Sequence, residues 1–317
     1  MFKRTEIEIS IVQELAKLRE SHEHEAKLRL QHARKNKEFD DLYKIKKELE
    51  FSIAEADFKK EDSTSLKTKY TKIKTKLRQL IKKLGMNEHD FAPKFNCTIC
   101  NDTGYVGGEK CQCLKSMINE KLIELSGLEK TKLNTFDDYN EQLSANPVQQ
   151  KMLSKLKTTL LTYVENFAKS PHCNVLLSGP VGVGKTFALE CTTSEILKKG
   201  HTANFLTAFQ LNNQFLKYHT CFDANKQSYL NLLLEPDLLV IDDLGTEPML
   251  NNVTNEYLYL VLSERMLKHK HTLISTNLSL SQILERYNER IFSRLTDKTK
   301  SILLRIDGDD LRSLKRS

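Results

Sequence analysis

The sequence predicts an α/β protein in which helices cover both faces of a parallel five-stranded sheet, preceded by a helical N-terminal region and a small cysteine-rich knuckle. Three observations predict this class. The first ninety residues contain one glycine, no proline and apolar residues at helical spacing. Four of the seven cysteines lie within residues 97–113, and strand and helix patterns alternate from residue 174 onward. Such alternation is typical of parallel sheets, whose ligands bind at the carboxyl ends of the strands.

The N-terminal region, residues 1–90, is predicted to form two or three amphipathic helices, which we interpret as a coiled-coil or hairpin region that binds a partner. A break is expected near residues 61–65, where Ser63 or Thr64 can cap the following helix. The alternative is that the apolar stripes only form the core of a helical bundle. The stripes are Phe39, Leu42, Ile45, Leu49, Ile53 and Ala56, followed by Leu66, Tyr70, Ile73, Leu77, Leu80 and Leu84.

The second stripe lies in a strongly basic stretch. Residues 67–83 contain seven lysines, one arginine and no acidic residue. A positive segment of this kind can contact a polyanion or an acidic protein face. The alternative is that it forms the solvated side of a helix.

Residues 91–126 are predicted to form a zinc-binding knuckle. Two cysteine pairs frame a turn-rich segment, residues 101–108, which can bring four thiolates together around Zn²⁺. A knuckle of this size has almost no core, so the metal would supply its folding free energy, about 10–16 kcal/mol in zinc-finger peptides. Thiol redox chemistry and unliganded cysteines are the alternatives, and His89 is a more distant substitute ligand. The predicted ligands are Cys97, Cys100, Cys111 and Cys113.

The rest of the chain is predicted to contain a polar linker, residues 127–147, and a nucleotide-binding domain, residues 148–317. A helix at 148–168 precedes the first strand. The predicted strands are 174–178, 203–207, 237–241, 271–276 and 301–306, and the helices between them lie at 186–199, within 208–234, at 253–268 and within 279–296.

The segment Gly179-Pro180-Val181-Gly182-Val183-Gly184-Lys185-Thr186 matches the phosphate-binding loop pattern G-x-x-x-x-G-K-[ST] at every fixed position. It also follows a predicted strand and precedes a predicted helix, as such a loop requires. The loop amides can surround the phosphates of ATP, Lys185 can reach the β- and γ-phosphate oxygens, and the Thr186 hydroxyl can bind Mg²⁺. This context disfavours the alternative, a glycine-rich turn with a solvated lysine.

Polar residues follow two other predicted strands. Asp242 and Asp243 end the apolar run Leu238–Ile241. Asp242 is therefore placed to hold Mg²⁺, and Asp243 to polarise the attacking water. Asn277 follows the strand 271–276, where it can orient that water or contact the γ-phosphate; the alternative is that it caps the next helix.

Three arginines, Arg286, Arg290 and Arg294, recur at every fourth position, so a continuous helix would place their guanidinium groups on one face. Like charges at this spacing repel by roughly 0.2–0.5 kcal/mol per pair, so we expect an anion nearby. The ATP of an adjacent subunit is a candidate, because an arginine contributed in this way stabilises transition-state charge. A solvated basic face paired with Glu285 and Glu289 is the alternative.

Length and composition indicate how many domains the chain can form and where the protein is expected to be found. With 317 residues, of which 39% are hydrophobic, the chain is long enough for about two domains. No apolar stretch approaches the roughly 18 residues of a membrane span, and the N-terminal residues lack the apolar segment of a signal peptide. An odd number of cysteines suits a reducing compartment. We therefore expect a cytoplasmic protein with no membrane partner.

Together these motifs resemble those of AAA+ ATPases of the DnaC/DnaI helicase-loader and IstB-like group. The cysteine cluster, with Asp102-Thr103-Gly104-Tyr105 inside it, also resembles the zinc-containing region of the loader branch. The first ninety residues match only in general character. The segments that carry the resemblance in the second domain are Gly179–Thr186, Leu238–Gly245, Ser275–Leu278, Glu289–Leu295 and Gly308–Arg312.

The resemblance implies the strand order 5-1-4-3-2, ATP hydrolysis and self-association through the ATP site. Asn277 would be the sensor-1 residue and Arg312 the sensor-2 residue. Arg290 would be the arginine finger contributed in trans, with Arg294 as the alternative. Asp243 departs from the glutamate that AAA+ proteins generally carry at this position, and its shorter side chain fits slow, switch-like turnover.

The resemblance also predicts the function: an ATP-dependent loader that delivers the DnaB-type replicative helicase ring to single-stranded DNA. An IstB-like helper of DNA transposition is the alternative, and the zinc cluster and the long N-terminal region favour the loader. A scaffold that binds ATP only to fix its shape is a third hypothesis. Bases stack on aromatic rings and phosphates pair with lysines. On that basis the candidate DNA contacts are Lys217, Tyr218, Lys226 and Tyr229.

Overall fold

The structure is a computed structural model that describes residues 4–128, 134–223 and 226–314. These residues form two compact units. The helical unit comprises Ser10–Lys115, and the sheet unit comprises the described parts of Met1–Ile9 and Ser116–Ser317. Residues 129–133, in the predicted linker, lie outside the described residues, as do residues 1–3 and 315–317 at the ends of the predicted domains.

The helices and strands are numbered here in chain order. The helices are α1 (Arg4–Arg34), α2 (Lys37–Lys59), α3 (Thr64–Lys83), α4 (Gln112–Leu125), α5 (Pro147–Asn166), α6 (Lys185–Lys198), α7 (Ala208–Thr220), α8 (Lys226–Leu234), α9 (Thr254–Leu267), α10 (Leu280–Thr296) and α11 (Leu311–Leu314). The strands are β1 (Tyr105–Val106), β2 (Glu109–Lys110), β3 (Asn174–Ser178), β4 (Ala203–Thr207), β5 (Leu238–Leu244), β6 (His271–Thr276) and β7 (Ser301–Arg305). None of the described helices combines the length and the hydropathy that a membrane span needs.

Strands β3 to β7 form one parallel sheet in the order β4-β5-β6-β3-β7. Counted from β3 as the first strand and read from the other edge, this order is 5-1-4-3-2, so the predicted fold class and strand order are confirmed. The central strand β3 pairs with two neighbours, and its residue Leu176 lies opposite Ile274 and Leu303.

The core of the sheet unit lies on both faces of this sheet. Successive side chains of a strand point to opposite faces, yet Leu238, Leu239, Val240 and Ile241 of β5 are all 0% exposed. Each face is therefore covered. Helical side chains that are fully buried in the same core include Leu262 of α9 and Tyr287 of α10.

Strand β5 extends farther than the sequence predicts. Its predicted end is residue 241, but the strand continues to Leu244 and includes both aspartates. Its pairing with β6 shifts register between Ile241 and Leu244, and Asp243 has a φ of 56°. A bulge of this kind bends a strand and re-aims a side chain, so it places the carboxylate of Asp243 at the site described below.

The helical unit contains α2 and α3, which pack together as a helical hairpin. Their contact is built around Phe39, Leu77, Leu80 and Ile81, all buried. The predicted break between the two helices is confirmed.

Capping of α3 differs from the prediction. Ser63 occupies the N-cap position, but its side chain makes no capping bond and instead donates to Asp57. The backbone N–H of Thr64 is bound by Asp62 Oδ1 at 2.9 Å. An aspartate therefore satisfies one of the free N–H groups at the start of the helix.

Candidate nucleotide site and cysteine cluster

The predicted phosphate-binding loop connects β3 to α6, whose first residue is Lys185. The chain after β7 packs against this loop: the N–H of Leu311 donates to the carbonyl of Gly182 at 3.0 Å. Two of the glycines are favoured for different reasons. A Cβ on Gly179 would lie 2.1 Å from the backbone carbonyl oxygen of Ile306, and Gly182 has a φ of 81°, which other residues rarely adopt. The loop sequence thus suits this close approach as well as phosphate binding.

Lys185 is buried, and its ammonium group is held by oxygen atoms of the site. Nζ donates to the carbonyls of Gly179 at 2.8 Å and Pro180 at 2.7 Å, and to Oδ1 of Asn277 at 2.5 Å. Burial lowers the pKa of Lys185, and the nearby carboxylates of Asp243 and Asp242 oppose that shift. The structure therefore brings the lysine and asparagine of the predicted site into direct contact.

Thr186 and Asp242 also meet. Thr186 Oγ1 donates to the carboxylate of Asp242, with the shorter distance 2.9 Å. A hydroxyl beside a carboxylate is a donor set of hard oxygens, which fits Mg²⁺. Ser275 orients this carboxylate, since its hydroxyl donates to Asp242 Oδ1 at 2.5 Å and accepts from the N–H of Asp243 at 2.8 Å. The sequence motif includes Ser275, but its orienting contact became visible only in the folded chain.

Asp243 faces the cavity beside the loop. Burial, followed by the charge of Asp242, raises the pKa of Asp243, while Lys185 and Arg312 pull it down. Two adjacent carboxylates in a half-buried site stabilise a cation between them and the loop. The arrangement therefore favours a metal-bound polyphosphate over a free anion.

The cavity beside the loop has a volume of about 350 Å³, within the usual range for a small-molecule site. The lining includes loop residues and Asp243, Asn277 and Arg312. Sequence reasoning missed the other eight lining residues, of which five are aromatic or aliphatic: Tyr139, Leu143, Leu153, Phe187 and Leu311. The remaining three are Asp138, Asn140 and Glu190.

Several of the lining residues that sequence reasoning missed belong to the predicted polar linker, residues 127–147. Phe136 and Tyr139 are both buried. The Tyr139 hydroxyl is buried too, and no hydrogen-bond partner for it exists among the described residues. Burial raises the pKa of this phenol, so it stays protonated at neutral pH. The sequence signal for this packing was the presence of two aromatic residues, Phe136 and Tyr139, in a largely polar stretch.

A buried glutamine positions the C-terminal wall of the site. Gln149 of α5 accepts from Ser144 Oγ at 2.7 Å and from the N–H of Asp309 at 3.1 Å, and its Nε2 donates to the Asp309 carbonyl at 3.0 Å. Arg312 follows this turn, lines the cavity and is exposed. It pairs with Asp310 at 2.8 Å, and the hydrogen bond raises the pKa of Arg312.

The three arginines of α10 do not share one face, contrary to the prediction. Asn288 has φ 78° and ψ 168°, so the helix kinks between Arg286 and Arg290. The Asn288 side chain then accepts from the backbone N–H groups of Arg290 and Ile291, as an N-cap would.

The kink separates Arg286 from Arg290 and Arg294, which share Tyr259 as a partner. Arg286 donates to the carbonyl of the buried Glu247, whose carboxylate also binds the Tyr287 hydroxyl. The Arg290 guanidinium lies 4.0 Å from the centre of the Tyr259 ring, and that of Arg294 lies 5.6 Å from it. Neither Arg290 nor Arg294 is among the described residues that line the cavity.

The four predicted zinc ligands come together in the helical unit. All four sulfur atoms lie within 4.8 Å of one another, with Cys97 and Cys111 at 3.8 Å and Cys100 and Cys113 at 3.4 Å. A tetrahedron of 2.3 Å zinc–sulfur bonds has sulfur–sulfur edges of about 3.8 Å. The cluster can therefore hold a metal ion of this kind. His89 is not part of it.

The buried carboxylate of Asp102 binds the backbone beside the first cysteine of the cluster. Asp102 accepts hydrogen bonds from the N–H groups of Asn96 at 2.9 Å and Cys97 at 2.7 Å. Its other contact is His22 of α1, whose Nδ1 lies 3.3 Å from Oδ2. Asp102 thus links the first cysteine turn to a helix, a contact that the sequence did not reveal.

The four candidate DNA contacts lie on α7 and α8. Tyr218 packs edge-on against Tyr257 with ring centres 5.2 Å apart, and the Lys226 ammonium lies 5.1 Å from the centre of the Tyr218 ring. Lys217 is exposed, and Tyr229 is half-buried. Tyr218 therefore has a packing role whether or not it also contacts DNA.

Comparison with known proteins places this site in a family. A family model described as IstB-like ATP binding protein matches residues 115–317. The replicative helicase loader DnaI of Bacillus subtilis (strain 168) is 24% identical over 61% of this chain and 67% of its own length. The insertion sequence IS5376 putative ATP-binding protein of Geobacillus stearothermophilus is 26% identical over 61% of this chain and 72% of its own length.

Among solved structures, the DnaC helicase loader superposes with a TM-score of 0.43 and 26% identity, covering 53% of this chain and 97% of that one. The family match spans more than half of the sequence and includes the phosphate-binding loop, both aspartates and Asn277. The chain therefore belongs to the family of IstB-like ATP binding proteins.

Proposed function

We propose that this protein is an ATP-dependent loader that binds a DnaB-type replicative helicase and delivers it to single-stranded DNA. The observation that carries the proposal is that the chain joins the family's nucleotide site to a second folded unit, Ser10–Lys115, of which only the last residue falls inside the family match. A loader needs both parts, since one must respond to ATP and the other can hold the helicase.

ATP hydrolysis is the proposed reaction of the sheet unit. The amides of residues 179–186 would surround the phosphates, and Lys185 would exchange its present carbonyl and Asn277 contacts for phosphate oxygens. Thr186 and Asp242 would hold Mg²⁺, which supplies charge neutralisation when bound.

Asp243 and Asn277 would then position the attacking water, because both line the cavity beside Lys185. Arg312 would contact the phosphates from the same subunit after leaving Asp310. The raised pKa of Asp243 favours proton uptake relative to an ordinary aspartate. Its side chain is shorter than a glutamate, so turnover is proposed to be slow and regulated.

Self-association would complete the site. Arg290 and Arg294 flank Tyr259 rather than their own cavity, so either can serve as a finger that enters the neighbouring subunit's site. ATP occupancy would then control assembly. The four cysteines of the helical unit are proposed to bind Zn²⁺, which would fix the knuckle that this unit presents beside its helices.

The test is to mix the protein with the replicative helicase of its host and with single-stranded DNA. We expect co-purification with the helicase and ATP-dependent assembly of the helicase ring on the DNA. Lys185→Ala, which removes the phosphate-binding ammonium, should retain helicase binding but lose ATP-dependent delivery. A protein that does not bind the helicase at all would contradict the proposal.

The second candidate, a helper of DNA transposition, has one specific observation in its favour: the insertion-sequence relative matches about as well as the loader. A helper should bind a transposase and leave the helicase alone. The same co-purification, repeated with both partners, separates the two functions.

A further inference from the structure

One helix of the helical unit carries charge that the fold does not neutralise. Helix α3 has eight basic residues and no acidic one. Two of them are paired with acids of neighbouring segments, Lys67 with Asp57 and Arg78 with Glu88. Among the described residues, no ion pair is formed by Lys69, Lys72, Lys76, Lys82 or Lys83.

Four of these five lysines lie on one side of the helix. Lys69, Lys72, Lys76 and Lys83 are separated by three, four and seven residues, so their side chains share a face. All four are exposed. From Lys69 to Lys83 the helix rises about 21 Å at 1.5 Å per residue. This set is called the lysine face.

The neighbouring helix α2 pairs most of its lysines with acids of the same helix. On α2, Lys44 pairs with Asp40, Lys47 with Glu50, and Lys59 with Glu55. The two helices of one hairpin therefore differ: four of the five lysines of α2 are paired within their own helix, whereas the four lysines of the lysine face on α3 are available to an external anion.

We infer that the lysine face binds the phosphate backbone of duplex DNA without regard to base sequence. Duplex DNA carries one negative charge per about 1.7 Å of its axis, so a rigid row of lysines about 21 Å long can meet several phosphates at once. Lysine ammonium groups act as point charges on phosphate, and such contacts position a protein without reading bases.

Single-stranded DNA fits this surface less well because proteins bind it by stacking bases on aromatic rings. The one aromatic residue of α3, Tyr70, is half-buried and donates its hydroxyl to Glu50 at 3.1 Å. A protein partner also fits less well, since interfaces are anchored by buried apolar side chains. The exposed large apolar residues Phe51 and Phe58 lie on α2, and α3 exposes none among its described residues.

The test uses the full chain without nucleotide and measures binding to fluorescently labelled duplex DNA at several salt concentrations. The variant K69Q/K72Q/K76Q removes three charges of the lysine face. We expect an affinity loss of about tenfold or more near 0.1 M salt, and a decrease of about 2.7 in the slope of log K against log salt. Exposed lysines on a helix can be replaced without unfolding it, which circular dichroism verifies.

The matched control is K44Q/K47Q/K59Q, which removes the same number of charges from the ion-paired helix. Its affinity and salt slope should stay much closer to those of the unchanged protein. Equal losses in the two variants would overturn the inference, because they would reflect net charge alone. It is also overturned if single-stranded DNA binds more tightly to the lysine face than duplex, or if polyglutamate competes as well as duplex DNA at equal charge.

Discussion

The sheet unit and the helical unit bury their apolar residues to different extents. In the sheet unit, four consecutive residues of β5 are inaccessible to solvent and belong to a core that spans the sheet. The helical unit has a cluster of five buried residues around Phe39, while Phe51 and Phe58 on the same helix are 72% and 89% exposed. Within residues 96–113 the buried apolar residues are Cys100 and Cys111 alone. We therefore expect the sheet unit to be stable by burial and the knuckle to depend on its cysteines.

The largest predicted effect concerns the dependence of the knuckle on its four cysteines. Chelation of the metal, or Cys97→Ser with Cys100→Ser, should unfold the knuckle, because metal binding contributes about 10–16 kcal/mol in comparable peptides. ATP binding by the sheet unit should persist. Metal analysis should find about one zinc per chain before chelation, and hydrogen exchange should rise across residues 96–113 afterwards.

The control is Cys221→Ser, which changes a half-buried thiol of the sheet unit outside the cluster and should leave the zinc content unchanged. If the purified protein holds no zinc and its knuckle is nevertheless protected from hydrogen exchange, the knuckle does not depend on a metal for its stability.

The next effect concerns catalysis in the sheet unit. Arg290→Ala should bind ATP normally but hydrolyse it about 10³–10⁵ times more slowly, the range seen for arginine fingers. Mixing it with Lys185→Ala subunits should restore part of the activity, since each variant supplies what the other lacks. Steady-state phosphate release measures both results.

Arg294→Ala, tested in parallel, decides which arginine is the finger. Arg34→Ala, which breaks an ion pair with Asp40 in the helical unit, should leave hydrolysis unchanged. Activity that does not recover on mixing would show that the arginine acts within its own subunit.

A smaller effect is expected for ATP affinity. Lys185→Ala removes an ammonium that already has three oxygen partners. Hydrogen bonds to charged groups contribute about 1.5–3 kcal/mol, so the loss should be about two orders of magnitude in Kd when more than one phosphate contact disappears. Calorimetry measures it, and the exposed Lys199→Ala is the control. An unchanged Kd would mean that nucleotide binds elsewhere.

The smallest effect concerns Tyr139. Tyr139→Phe removes a buried hydroxyl that has no partner among the described residues. Because this hydroxyl is inaccessible and makes no hydrogen bond to any described residue, ATP affinity should be unchanged, while the melting temperature stays the same or rises. Tyr43→Phe in the helical unit is the control. A lower melting temperature without a change in affinity would assign the hydroxyl to folding.

Local patterns predicted much of the sheet unit. The predicted bounds of β3, β4 and β6 agree with the structure, because each strand has an apolar centre and ends at a polar or glycine-rich segment. Lys185, Thr186, Asp242 and Asn277 were all identified from motif and spacing. Parallel strands bring their carboxyl ends to one edge, so these residues had to lie near one another.

Other features depend on residues far apart in sequence and had no local signal. Arg286 and Arg290 fit a continuous helix by spacing, but the buried Glu247 binds Arg286 and Tyr287 on one side of the kink at Asn288. The cavity wall at Tyr139 belongs to a stretch that composition indicated was a linker. Its aromatic residues are buried because they pack beside α6, as the Tyr139–Phe187 contact shows.

By itself, the sequence determined the parallel sheet, the phosphate-binding loop, its acidic partners and the four cysteines, because each depends on residue types at short, regular spacing. Tertiary structure alone decided how β5 bulges at Asp243, which side chains complete the cavity, where Arg290 lies and which lysines remain unpaired on α3. The physical reason is the same in each case. Burial, hydrogen bonding and charge pairing are settled between segments, and a linear pattern does not contain those distances.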